Sequence, residues 1–90
     1  MAKQPHNPEM RRILLEIVEN QLRDNDPPET RATLQRLIEE GSTREQAVEL
    51  IACVVSTEIF NVLKNRQVYQ PARYIAALRK LPRLPWEDKP

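Results

Sequence analysis

Glu58 stands among aliphatic residues at a spacing that would bury it. A buried carboxylate must find a partner or take up a proton. From Thr43 to Arg66 the sequence has helical periodicity. Stepped by 100° per residue, Ala47, Val48, Leu50, Ile51, Val54, Val55 and Val62 form one stripe. Glu58 falls near its centre, one turn after Val54 and one turn before Val62. Gln21, Tyr69, Arg73 and Tyr74 are the polar residues on or near helix faces that could meet it. Two kinds of chemistry are open to such a group. It can form an ion pair or hydrogen-bonded network that fixes register or partner choice. It can instead bind a cation or an amine in a small cleft. A neutral, protonated Glu58 is a third state consistent with the pattern.

Little else in the chain could carry a reaction. There is one histidine, one cysteine and one glycine in 90 residues. The solitary Gly41 excludes glycine-rich phosphate loops. Cys53 lies mid-helix and behaves there as a small apolar residue, whereas His6 lies in a loose lead-in, so the two do not form a nucleophile and base. A di-iron helical site needs Glu-x-x-His pairs, and neither Glu16 nor Glu19, both outward-facing, has a histidine behind it. The expectation is a non-enzyme with no catalytic residue, no cofactor and no metal site.

The elements that would position Glu58 are helices. Residues 1–6 form a flexible lead-in. Asn7 as N-cap, Pro8 and Glu9 then open helix one, 8–24, whose face carries Met10, Ile13, Leu14, Ile17, Val18 and Leu22, with Gln21 intruding. Asp24 to Glu29 is a break and restart, with Asp26 and Glu29 spaced as a capping box for helix two, 27–40. Leu34, Leu37 and Ile38 of that helix point inward, and Gly41 stops it. Ser42-Thr43-Arg44-Glu45 reads as a second capping box opening helix three, 43–66. That helix has a weaker apolar strip on its far side, Ala52, Ser56, Phe60 and Leu63, so it is central or meets a second subunit. Helix four, 71–81, presents Tyr74, Ile75, Leu78 and Leu81 on one face. Prolines 82 and 85 then impose an extended tail, 82–90, with Leu84 and Trp86 as anchors on the same chain or on a neighbour. The fold class is all-α: one four-helix domain over 7–81, bundle-like with short connections, and a proline-rich C-terminal tail.

Composition narrows the partners. A hydrophobic fraction of 40% and a charged fraction of 30% are ordinary for a globular domain. The net charge of +1 provides no bulk attraction to nucleic acid or membrane. The charge is divided, however: residues 1–63 carry a net −4 and residues 64–90 a net +5. The two parts can attract each other within one chain or across a dimer. Alternatively, the basic segment with Arg79, Lys80 and Arg83, beside Trp86, Tyr69 and Tyr74, can bind single-stranded nucleic acid. A helix-turn-helix reader built on helices two and three is disfavoured, because Glu45 and Glu49 would face phosphate. No stretch is expected to reach the apolar length of a membrane span, and the first residues have no signal-peptide character. A cytoplasmic location is the default.

The segments Asn7-Pro8, Ile17-Val18-Glu19-Asn20-Gln21-Leu22, Glu58-Ile59-Phe60, Arg73-Tyr74 and Leu84-Pro85-Trp86-Glu87 together resemble small uncharacterised bacterial proteins of the domain-of-unknown-function class. The resemblance implies a bacterial cytoplasmic protein and carries no activity, cofactor or site residue. From the residues themselves the expected function is a non-catalytic interaction module, self-associating as a homodimer through helices three and four or one and three. Phe60, Leu63, Leu84 and Trp86 are the candidate contacts. Nucleic-acid binding through residues 64–90 is the alternative.

Overall fold

The computed structural model describes residues 8–87, all its regular elements being helical. The elements are α1 (Pro8–Asp24), α2 (Pro28–Glu39), α3 (Arg44–Lys64), α4 (Pro71–Lys80) and a short 3-10 helix, Pro85–Glu87. The lead-in 1–6, the capping role expected for Asn7, and residues 88–90 lie outside the described residues.

α3 is the hub. α1, α2 and α4 all pack on it, while α2 also touches α1 and α4. The core consists mainly of Leu14, Val18 and Leu22 from α1, Leu34 and Leu37 from α2, Ala47, Val48, Ile51, Val54 and Val55 from α3, and Tyr74, Leu78 and Leu81 from α4 and its end. Each contributes at i, i+3, i+4 or i+7 spacing, which lays one helical face against its neighbours. The apolar faces sit slightly off the positions read from the sequence. Met10 and Ile13 of α1 and Ile38 of α2 are exposed, whereas Leu15 packs against the core. Two threonines, Thr30 and Thr33, are buried on α2 instead.

The helix starts also differ in detail. Asp26 does not cap α2; the N-cap is Pro27, without a side-chain hydrogen bond. Two successive prolines have no N–H to be capped, so Asp26 gains nothing there. α3 does begin with a capping box, one residue later than the sequence reading. Thr43 Oγ1 accepts from Gln46 N at 3.0 Å, and Thr43 N donates to Gln46 Oε1 at 2.9 Å. Gly41, at φ 114°, lets Ser42 N return to Leu37 O at 2.9 Å, closing α2 in a conformation that a side chain would strain.

At 21 residues α3 is long and apolar enough to cross a membrane, contrary to the expectation that no stretch reaches that length. Glu49 and Glu58 are the only charged residues between Gln46 and Leu63. Its composition follows from its place: a helix with three neighbours needs apolar residues over most of its circumference. The tail departs from an extended course. Leu81 is fully buried, Leu84 packs on the core, and Pro85–Glu87 winds into a 3-10 turn. Glu87 closes that turn reciprocally, its N–H donating to Leu84 O at 2.9 Å and its carboxylate accepting from Leu84 N at 3.0 Å.

Candidate functional site

α3 is unbroken from Arg44 to Lys64, and Glu58, two turns before its end, is 6% exposed. Its partner comes from the first turn of α4. Arg73 donates from Nε to Glu58 Oε2 and from Nη2 to Glu58 Oε1, both at 2.9 Å. This is the bidentate fork that a planar guanidinium makes with a carboxylate, and it satisfies both acid oxygens. The carboxylate raises the Arg73 pKa further above its usual value, mainly through the side-chain hydrogen bond.

Arg73 also organises the connection that precedes it. Nη1 donates to Gln67 Oε1 at 3.0 Å, and Nη2 reaches Val68 O at 3.4 Å. Pro71 starts α4 without needing an N–H partner, which places Arg73 and Tyr74 in its first turn. One guanidinium thereby ties α3, the 65–70 connection and α4 together.

Next to this pair lies a separate polar cluster. Tyr74 Oη donates to Gln21 Oε1 at 2.9 Å, and Thr30 Oγ1 donates to the same oxygen at 2.8 Å. Three helices meet at one amide. Burial is the main reason the Tyr74 phenol is pushed above its ordinary pKa. Thr30 was missed in the sequence, although it shares a face with Leu34 and Leu37 at i+4 and i+7. Gln21 and Tyr74 are thus brought together, but with each other rather than with Glu58.

Over the Glu58–Arg73 pair is a groove of about 280 Å³, lined by Val55, Glu58, Ile59, Val62, Leu63, Tyr69 and Tyr74. Its walls are almost wholly apolar. The Tyr69 and Tyr74 rings stand 6.5 Å apart, tilted by 52°. Burial, followed by the Glu58 charge, raises the Tyr69 pKa. Along the groove the apolar surface is open: Phe60 is 55% exposed, Leu63 74% and Val68 78%. Lys64 Nζ sits 5.7 Å from the centre of the Phe60 ring.

The cause of this exposure is the run of α1. Arg11 pairs with Glu49, Arg44 pairs with Glu19 at 2.9 Å, and Leu14 and Leu15 meet Ala52, Cys53 and Ser56. α1 is therefore antiparallel to α3, and its first turns lie level with Ala52 and Ser56. Among the described residues, the last two turns of α3 run past its start, with α4 and the connection beside them.

The other candidates are dispersed. Arg79, Lys80 and Arg83 are exposed at the far end of α4, about 10 Å along the helix from Arg73. Leu84 is taken up by its own chain, and Trp86 is half-buried in the 3-10 turn. Cys53 is a buried free thiol whose pKa burial pushes up. Among the described residues every buried side-chain polar atom has a hydrogen-bond partner, and no three of His, Cys, Asp or Glu are grouped to hold a metal. The arrangement offers an apolar surface over a paired acid and base, with Lys64 at its edge. No family model, curated protein or solved structure matches this chain.

Proposed function

We propose that the chain is a non-catalytic interaction module that associates with a second copy of itself. The observation that carries this reading is the exposed apolar end of α3, with Ile59, Phe60 and Leu63 beside Val68 and Tyr69 of the following connection. Scattered exposed apolar residues need no explanation, but a contiguous strip beside a groove marks a contact surface. Glu58, the one acid in the strip, is neutralised by Arg73, which leaves Lys64, over the Phe60 ring, as the charge at its edge. In this reading the helices form a bundle-like body in a bacterial cytoplasm, and the proline-rich segment from Pro82 is held to its own chain by Leu84.

The test is molar mass by light scattering across a concentration series. The expected result at tens of micromolar is twice the 10.5 kDa of one chain, falling toward one on dilution. A mass of one chain throughout sinks the reading. Retention on heparin that collapses as salt rises would move the function to Arg79, Lys80 and Arg83.

A further inference from the structure

We infer that the depression where the end of α1 meets the starts of α2 and α3 binds a phosphate group, held by Arg31, Arg44 and Arg23. The site is at the far end of α3 from the exposed apolar strip. Arg44 and Ile59 stand about 22 Å apart along the helix, so the site does not depend on self-association.

The sequence puts an excess of acid in this part of the chain: residues 1–63 carry a net −4. Yet three of the six arginines in that stretch gather around one depression of about 370 Å³. Arg23 comes from the last turn of α1, Arg31 from the first turn of α2 and Arg44 from the first position of α3. Glu19 is the one acid in the lining. With Asp24 beside Arg23 counted as well, guanidiniums still outnumber carboxylates. Like charges gathered in one place repel, and a bound anion removes that cost.

Each guanidinium is anchored by part of its hydrogen-bonding capacity. Arg31 uses one N–H on Leu22 O at 2.8 Å and, among the described residues, has no carboxylate partner. Arg44 donates from Nη1 and Nη2 to Glu19 at 2.9 and 3.0 Å, which leaves Nε. Arg23 is tied to Asn20 at 3.0 Å and to Asp24 at 3.1 Å. An arginine carries five N–H donors, so anchoring leaves donors on all three. Side chains already fixed lose little freedom when a ligand arrives.

The donor set selects phosphate over a carboxylate. A carboxylate has two oxygens in one plane, and a single fork satisfies it, as Arg44 does for Glu19. Guanidiniums from three helices suit a tetrahedral group whose oxygens point in different directions, and its greater charge suits the excess of base. Gln35 adds an amide to the lining, and the buried Leu22 and Leu34 close the floor.

The probe is inorganic phosphate, titrated at constant ionic strength and followed by calorimetry and by shifts of the arginine Nε–H signals. Saturable binding is expected with a dissociation constant of about 1 mM, a modest affinity for a small open site. Arg31→Gln should weaken it about tenfold, the value of a hydrogen bond to a charged group. Glu19→Gln should tighten it about threefold, because it releases Arg44 and removes the acid from the lining. Opposite signs are a signature that damage to the fold does not produce. Melting curves in phosphate-free buffer check that both variants are folded. If Arg31→Gln melts too low to titrate, the sign for Glu19→Gln still decides. No saturation by about 20 mM phosphate overturns the site, as does indifference to both substitutions. A single-stranded oligonucleotide is the second probe. Its binding without any saturable binding of inorganic phosphate would mean a diffuse basic surface and would equally overturn the site.

Discussion

One helix in this molecule has two fates. From Ala47 to Val55, α3 is walled in by α1 and α2, and almost every side chain is buried. From Glu58 onward, among the described residues, the same helix has α4 and the 65–70 connection for company, and Ile59, Phe60 and Leu63 face outward. The residue types in the two halves are alike, so composition does not separate them; the partners do. The buried half uses its apolar surface to hold the fold. The open half has apolar surface left over, with a bidentate ion pair at its base in place of a third helix. Surface that the monomer does not need is what a partner can use.

The sharpest way to break this contrast is to truncate one residue in each half. Ile51 is fully buried. Ile51→Ala should cost about 3 kcal/mol, a loss of more than 10 °C in melting temperature for a domain of this size. Leu63→Ala, measured at dilutions where only monomer is present, should stay within about 0.5 kcal/mol of wild type. Equal losses at both sites would mean that the end of α3 is covered in solution.

The ion pair gives the next effect. Arg73→Ala strands a buried carboxylate and frees the connection from Gln67 and Val68, so melting should drop by several degrees. Glu58→Leu should cost less, because the partly exposed guanidinium can turn to water while the leucine extends the apolar stripe. The order of the two is the test. A larger loss for Glu58→Leu would show that the acid's partners, rather than its burial, dominate.

Glu58 shows how far sequence periodicity reaches. Its burial follows from the stripe that contains Val54 and Val62, and Arg73 was one of four polar groups that could meet it. The choice among the four was not legible, because it depends on how α4 packs on α3, which no local spacing encodes. The half-open state of α3 was hidden for a related reason. α1 and α3 each read as amphipathic, but nothing in either says that the first turns of α1 stop level with Ala52 and Ser56. Thr30 was hidden by its residue type. Its spacing to Leu34 and Leu37 was a usable signal, overlooked because threonine is an ordinary surface residue.

The Gln21 cluster belongs to the seam between the two regions. Tyr74→Phe removes one of two donors to Gln21 Oε1 and leaves Thr30 in place, for a loss of about 1 kcal/mol by denaturant melts. The phenol also sets an alkaline limit. Its folded pKa lies above the ordinary value of 10.0, so its contribution is complete below that pH and is lost as pH rises through the folded value. Stability should therefore fall above pH 10, and less steeply in Tyr74→Phe. Identical alkaline slopes would assign the loss to other groups, Tyr69 among them.

The smallest effect comes from the ion pair at the opposite end of α3. Arg44 grips Glu19 through two hydrogen bonds, at 2.9 and 3.0 Å, and holds its carboxyl below the usual pKa of 4.5. A carboxylate with a lowered folded pKa stabilises the native state above its unfolded value and loses that contribution as pH falls through the folded one. Glu19→Gln should thus differ from wild type at pH 7 and converge on it in acid below about pH 4. Both side chains are about half exposed, so the difference at pH 7 should be only a few tenths of a kcal/mol and should shrink with salt. Like Glu58 and Arg73, this is a bidentate pair with two N–H···O bonds of nearly equal length, though made by Nη1 and Nη2 where Arg73 uses Nε and Nη2. If Glu19→Gln proved as costly as Arg73→Ala, burial would not be what separates the two pairs. The contrast between the ends of α3 would then rest on apolar packing alone.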